Sequence, residues 1–180
     1  MVEKMTKMFH NTTYKIFTQF MQYPTRPWSL RGLARKLKIS HATVLTHIEK
    51  IHNNKLIVKR DDMLYPIFTA NIEQKEYQFH KKHYIETQLK ELTEYLRSTT
   101  LPNTIILFGS SSRGTDTEKS DIDIFVEAKA TSLQLRKFEK KLQRKINVLF
   151  EQKFTNLPRA LQTNIANGTI LAGMLRIHNA

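Results

Sequence analysis

The sequence predicts an α+β chain made of two small folded parts joined by a long helix. Apolar residues recur at helical spacing through residues 12–51 and again through 72–97, whereas short apolar runs bounded by turn residues mark 104–126 and 146–150. Charge divides the chain at similar places. Residues 1–71 carry 12 Lys+Arg against 4 Asp+Glu, residues 72–98 carry 5 against 5, and residues 99–180 carry 12 against 7. At 180 residues the chain is long enough for one domain or two, and these patterns argue for two. The expected parts are residues 1–70, a linking helix over 71–98, and residues 99–180.

Composition narrows the class. Forty per cent apolar residues with ordinary complexity indicate a soluble globular protein. No run approaches a membrane span, and Met1 to Asn11 lacks the apolar core of a signal peptide, so the expected compartment is the cytoplasm. The absence of cysteine excludes disulfides, thiolate metal sites and thiol nucleophiles. A formal charge of +13 concentrated at both ends of the chain favours polyanions, most simply nucleic acid.

In chain order, Ile16, Phe17, Phe20 and Met21 form a helical stripe that Pro24 ends. Ser29 caps a second helix with Leu30, Leu33, Ala34 and Leu37 inward and Arg31, Arg35, Lys36 and Lys38 outward. A turn at Ile39-Ser40 leads to a third helix with Val44, Leu45, Ile48 and Ile51 inward. The pattern is helix-turn-helix. Asn53 and Asn54 suit a left-handed helix stop. Leu56 to Lys59 and Met63 to Phe68 then read as two strands joined around Asp61-Asp62. Residues 11–70 thus resemble winged helix-turn-helix DNA-binding domains, with Ser40-His41-Ala42-Thr43-Val44 opening the recognition helix. That resemblance implies DNA as a partner, with His41, Thr43, Thr46 and His47 toward the major groove and Arg31, Arg35, Lys50, Lys59 and Arg60 on the phosphates. Winged helices also serve as protein-protein or dimerisation modules, so a homodimer is a further expectation. His41, His47 and His52 lack the close spacing of a zinc pair, and His80 with His83 lacks a third ligand.

Asn71 with Gln74 resembles a capping box opening a helix that runs to about Arg97. Its apolar stripe is Ile85, Leu89, Leu92 and Leu96, widened by Phe79 and the tyrosines at 77, 84 and 95. Ser98 to Asn103 breaks the pattern.

The chemistry is concentrated in residues 104–126. Ile105 to Phe108 reads as a buried strand ending at Gly109-Ser110, where a glycine lets backbone approach a ligand and Ser110 can cap a short helix from Ser111. Backbone N–H groups and a hydroxyl so arranged favour phosphate. In Asp121-Ile122-Asp123-Ile124 the strand period of two puts both carboxylates on one face, where they repel unless a cation sits between them. Oxygen ligands in this number suit Mg²⁺ or Mn²⁺ carrying substrate phosphates.

Gly109-Ser110, ten residues, then Asp121-Ile122-Asp123 resembles the signature of the DNA polymerase beta-type nucleotidyltransferases, and Ser-Ser-Arg-Gly at 111–114 with Ser120 resembles the minimal members of that superfamily. The resemblance covers about residues 100–175. It implies an α/β domain with a small mixed sheet, a nucleoside triphosphate substrate and a divalent cofactor. Asp121 and Asp123 would be catalytic metal ligands, and Gly109, Ser110 and Arg113 would bind nucleotide. The family's third carboxylate falls on the strand expected at Ile146 to Phe150, where this chain has Asn147. An amide cannot take a proton, so the substitution threatens transfer more than nucleotide binding. Glu151, about 13 Å further along that strand, is a poor substitute.

Leu133, Phe138, Leu142 and Ile146 fit a helix with a basic outer face at Arg136, Lys137, Lys140, Lys141, Arg144 and Lys145. That face reads equally as solvated or as an acceptor or triphosphate surface. Leu157, Leu161 and Ile165 form a closing helix stopped by Asn167-Gly168, and Ile170 to Gly173 resembles the short apolar ending of minimal nucleotidyltransferases. Two functions follow: transfer of a nucleoside monophosphate from a Mg²⁺-bound nucleoside triphosphate to a hydroxyl, coupled to DNA binding, or a DNA-binding regulator whose weakened nucleotidyltransferase domain senses nucleotide.

Overall fold

The first helix, α1 (Thr12–Gln22), buries Ile16, Phe17, Phe20 and Met21, the stripe expected from their spacing. The computed structural model describes residues 12–61 and 64–176, and the expectation for Met1 to Asn11 lies outside them. The chain divides into two compact units, Met1–Phe79 and His80–Ala180, the division falling within the long helix.

In the first unit β1 (Trp28–Ser29) leads directly into α2 (Leu30–Leu37), whose cap is the Ser29 hydroxyl accepting from the Gly32 N–H at 3.1 Å. Ser40 caps α3 (His41–Asn53) in the same way, accepting from the Thr43 N–H at 3.0 Å. Val44, Ile48 and Ile51 of α3 are buried, but Leu45, expected inward, is 40% exposed. One residue is a 100° step, which carries Leu45 off the face that Val44 and Ile48 share. The left-handed residue after α3 is Lys55 at φ 58°, one position beyond the asparagine pair; Asn54 stays at φ −84°.

Two strands follow, β2 (Ile57–Arg60) and β3 (Ile67–Ala70), and the small antiparallel sheet has the order β1-β3-β2. The second strand was expected from Met63. Residues 62 and 63 lie outside the described residues, and pairing begins only at Arg60 opposite Ile67. Pro66, just before it, has no N–H to give a ladder.

The long helix, α4 (Lys75–Thr100), starts later than the capping-box reading and runs further. The Asn71 side chain donates instead to the Lys55 carbonyl at 2.8 Å, and Gln74 Oε1 accepts from the Lys75 N–H. Within the first unit the buried Tyr77 hydroxyl donates to the Phe20 carbonyl at 3.1 Å.

The second unit holds a small mixed sheet, as expected, and the sheet has four strands, the last of them read from the sequence only as a short apolar ending. Its strands are β4 (Thr104–Phe108), β5 (Ile122–Glu127), β6 (Ile146–Glu151) and β7 (Thr169–Gly173), in the order β6-β5-β4-β7. Strand β5 runs antiparallel to β4 and parallel to β6, and β7 runs antiparallel to β4. Alternation along the strands separates two apolar layers. Ile105, Leu107, Ile122, Ile124 and Val126 pack with Ile85, Leu89, Leu92 and Leu96 of α4. Ile106 and Phe125 pack on the opposite side with Phe154, Leu157 and Ile165. The short helix α5 (Gly109–Arg113) follows β4; α6 (Arg136–Leu142) precedes β6; and α7 (Arg159–Ala166) precedes β7. Helix α6 is shorter than its apolar spacing predicted. Gln143 turns left-handed at φ 53°, and Ile146 opens β6. Among the described residues no helix is long and apolar enough to cross a membrane.

Candidate active site

Strand register builds the site. Phe108, the last residue of β4, pairs with Asp123, and Asp123 pairs across the other edge of β5 with Asn147. The start of α5 after β4, Asp121 just before β5, Asp123 on β5 and Asn147 on β6 therefore come together at one end of three neighbouring strands. Gly109 has φ +74°, and a Cβ built on it would sit 2.7 Å from Asp123 Oδ2. Glycine serves both purposes here, accepting the left-handed backbone and leaving space for the carboxylate.

Asn147 Nδ2 donates to Asp121 Oδ2 at 3.1 Å and to Asp123 Oδ1 at 3.0 Å. Asp121 is exposed and Asp123 half-buried, and an oxygen of each carboxylate meets the same Asn147 Nδ2. Convergent carboxylate oxygens are what a hard divalent cation needs, with water and phosphate completing its shell. Asp121 and Asp123 fit such an ion. Asn147 adds a neutral side chain at the position where the family resemblance puts a third carboxylate. Glu151 is elsewhere: it pairs with Glu127 at the far end of β6 and accepts from Asn156 Nδ2, Gln152 N and Lys153 N. The Asn156 hydrogen bond, then those backbone N–H groups, hold its carboxyl below the ordinary range.

The phosphate-loop residues are arranged differently from the expectation in one respect. Helix α5 begins at Gly109, with Phe108 in the cap position and no side-chain cap, so Ser110 lies inside the turn. Its carbonyl accepts from the Thr115 N–H at 3.2 Å. Starting the helix at a left-handed glycine removes the extended position a serine cap requires. Arg113, at the end of α5, is exposed.

Sequence reasoning missed the group that ties this loop to the carboxylate strand. Asp116 is fully buried, and its Oδ2 accepts from Arg144 Nη1 at 2.6 Å and from Lys81 Nζ at 3.2 Å. The Arg144 guanidinium also donates to Ser111 Oγ at 2.9 Å, to the Ser120 carbonyl at 2.7 Å and to the Asp121 carbonyl at 3.1 Å. Arg144 was expected on the basic outer face of a longer helix; with α6 ended at Leu142, it turns inward instead. Burial is the largest influence on Lys81 and lowers its pKa; the charge of Asp116 opposes that shift and Arg144 adds to it. Its position on the buried side of α4, among Tyr77, Ile85 and Leu89, was the available sequence signal.

The residues expected to face DNA lie on α2, α3 and the strands of the first unit. Arg31, Arg35, His41, Thr46, Lys50, Lys59 and Arg60 are exposed. Arg31 stacks over the Tyr65 ring at 5.5 Å, and with His41 these residues line a cavity of about 280 Å³. Thr43 Oγ1 is hydrogen-bonded to Ser40 Oγ, Thr46 Oγ1 donates to the Ala42 carbonyl, and Lys59 pairs with Asp61 at 3.0 Å. His47 is turned toward α1, its Nδ1 lying 2.7 Å from Thr13 Oγ1. Burial, then the charge of Lys50, lowers the pKa of its ring.

Residues 85–171 match the family described as the nucleotidyltransferase domain. The matched domain runs from the buried stripe of α4 to β7 and contains Gly109, Asp116, Asp121, Asp123, Arg144 and Asn147. A solved structure described as "Crystal structure of the toxin-antitoxin with AMP-PNP" is similar at 26% sequence identity and a TM-score of 0.38, covering 48% of this chain and 73% of that one. No curated protein matches the sequence significantly.

Proposed function

We propose that the C-terminal unit binds a nucleoside triphosphate with Mg²⁺ or Mn²⁺ and transfers its nucleoside monophosphate to a hydroxyl, while the N-terminal unit is a winged helix-turn-helix that binds DNA. One observation carries the first part: Asp121 and Asp123 both meet Asn147 Nδ2, at 3.1 and 3.0 Å, beside the glycine that begins α5. A bound divalent ion would neutralise phosphate charge there.

Asp121 and Asp123 hold the ion, and Gly109, Ser110 and the exposed Arg113 hold phosphate. Arg144 fixes the loop relative to the aspartates through Ser111 and the Asp121 carbonyl. In the transfer, the acceptor oxygen bonds to the α-phosphorus, the bond from that phosphorus to the bridging oxygen breaks, and pyrophosphate leaves. The hydroxyl proton goes to solvent, since Asn147 cannot accept it. The protein lowers the barrier by position and electrostatics. The basic, exposed face of α2, the exposed residues of α3 and the antiparallel pair β2 and β3 support the DNA-binding part.

Asn147 favours a second reading, in which the domain binds nucleotide as a sensor and transfers slowly or not at all. Incubation with α-phosphate-labelled nucleoside triphosphate separates the two. Label transfer by the wild type, lost in Asp121→Asn, supports the transferase; transfer only after Asn147→Asp supports the regulator.

A further inference from the structure

Groove and phosphate contacts leave one feature of the first unit without a role, the cavity beside Tyr65. Three segments supply its described lining: Ser29, Leu30 and Arg31 around the start of α2, His41 at the start of α3, and Tyr65 and Pro66 from the connection between β2 and β3. At about 280 Å³ it is slightly smaller than the roughly 300–1,000 Å³ that holds drug-sized ligands, so it admits one ring system and not a folded peptide.

The lining has two characters. Leu30, Pro66 and the Tyr65 ring are apolar, whereas Arg31 and His41 carry N–H donors, and the described lining contains no acid. The Arg31 guanidinium lies 5.5 Å from the centre of the Tyr65 ring, yet that ring stays 58% exposed, so stacking surface remains open beside a cation. Ser29 Oγ accepts from the Gly32 N–H, which leaves its O–H to donate. Arg35, four residues after Arg31 and so on the same face of α2, is exposed.

These groups suit a flat ring that carries acceptors and is joined to an anion, which describes a nucleotide. A paired nucleotide does not qualify, because the stack of a duplex hides the faces of its bases and turns only their edges outward. The base must be unpaired. Leu64, the residue before Tyr65, is 90% exposed. An apolar side chain so placed, on a chain of net charge +13, has the character of the wedges that part base steps in nucleic-acid complexes. We propose that the cavity receives one unpaired base of a DNA strand, stacked on Tyr65 with its flanking phosphates on Arg31 and Arg35, so that the first unit selects DNA containing an unpaired nucleotide over continuous duplex. This rests on the DNA-binding reading and names the form of DNA selected.

The test uses the full chain and three short fluorescein-labelled duplexes of one sequence: fully paired, with one extra unpaired adenine, and with an abasic site in place of that adenine. The last keeps the backbone and removes only the base. Anisotropy titrations across about 50–200 mM salt read the affinities. The wild type should bind the adenine bulge about 5–150-fold more tightly than the abasic one, the ratio expected of one base–aromatic stack. Y65A should remove that ratio and Y65F should keep it. Neither should change the affinity for paired duplex or the salt slope, since no phosphate contact is lost. Equal affinity of the wild type for the two bulges overturns the proposal, as does a ratio that Y65A keeps or a loss in Y65A that is the same for all three duplexes. Calorimetric binding of AMP that Y65A abolishes, with no preference among the duplexes, gives the cavity to a free nucleotide and also overturns it. If the wild type binds none of the duplexes, the DNA-binding reading fails and takes the proposal with it; binding of all three without a base preference fails the proposal alone.

Discussion

Replacing Gly109 by alanine tests how closely the phosphate loop and the metal carboxylates are coupled. The backbone there is left-handed, which costs a residue with a Cβ about 1–2 kcal/mol. The new methyl would also lie 2.7 Å from Asp123 Oδ2, closer than packed atoms approach, so the carboxylate must move. Moving it stretches the 3.0 Å hydrogen bond from Asn147, a contact to a charged group worth about 1.5–3 kcal/mol. Gly109→Ala should therefore destabilise the protein by about 2.5–5 kcal/mol. Denaturant unfolding of the wild type, Gly109→Ala, Asp123→Ala and the double variant reads this out. Without the Asp123 carboxylate only the backbone cost remains, so the coupling energy should be about 1.5–3 kcal/mol. If Gly109→Ala cost the same in both backgrounds, the contact with Asp123 would be refuted as the reason for glycine.

Three further predictions follow from the same geometry. Asn147→Asp replaces an amide donor by a third carboxylate, so it should lower stability by about 2 kcal/mol in chelator and recover it in millimolar Mg²⁺; thermal unfolding with and without the ion checks this. Asp116→Asn leaves Lys81 and Arg144 without their counter-charge and should cost about 3–5 kcal/mol in urea unfolding, part of it regained on adding Lys81→Met. His47 has a lowered pKa in the folded state, so the unfolded chain binds more protons between that value and 6.5. Its contribution to stability should be complete above pH 6.5 and lost as pH falls through the lowered pKa; an NMR titration of the ring checks the direction.

What the sequence revealed depended on how locally each feature is encoded. Asp121 and Asp123 alternate with Ile122 and Ile124, and Gly109 ends a β-branched run, so short-range periodicity located the loop and the carboxylates. Asn147 was placed through the family resemblance alone, and the structure sets it opposite Asp123 on the neighbouring strand. The Ser29 cap was legible because it is local, bonding a backbone N–H three residues on; Ser40, read only as part of a turn, caps α3 in the same way. Asp116 was not legible, because its meaning comes from Lys81 on α4 and Arg144 before β6, segments with no shared pattern. Arg144 was further obscured by an apolar spacing that continued past the end of α6. Periodicity does not register a left-handed residue such as Gln143, and that turn sends the guanidinium inward.

Calorimetric titration of ATP, GTP, CTP and UTP into the full chain, with and without Mg²⁺, beside Asp121→Asn/Asp123→Asn, tests the central claim most directly. Mg²⁺-dependent binding of at least one nucleotide, abolished in the double variant, is the predicted result. No binding of any nucleotide by the wild type, or binding that the double variant leaves intact, would contradict it.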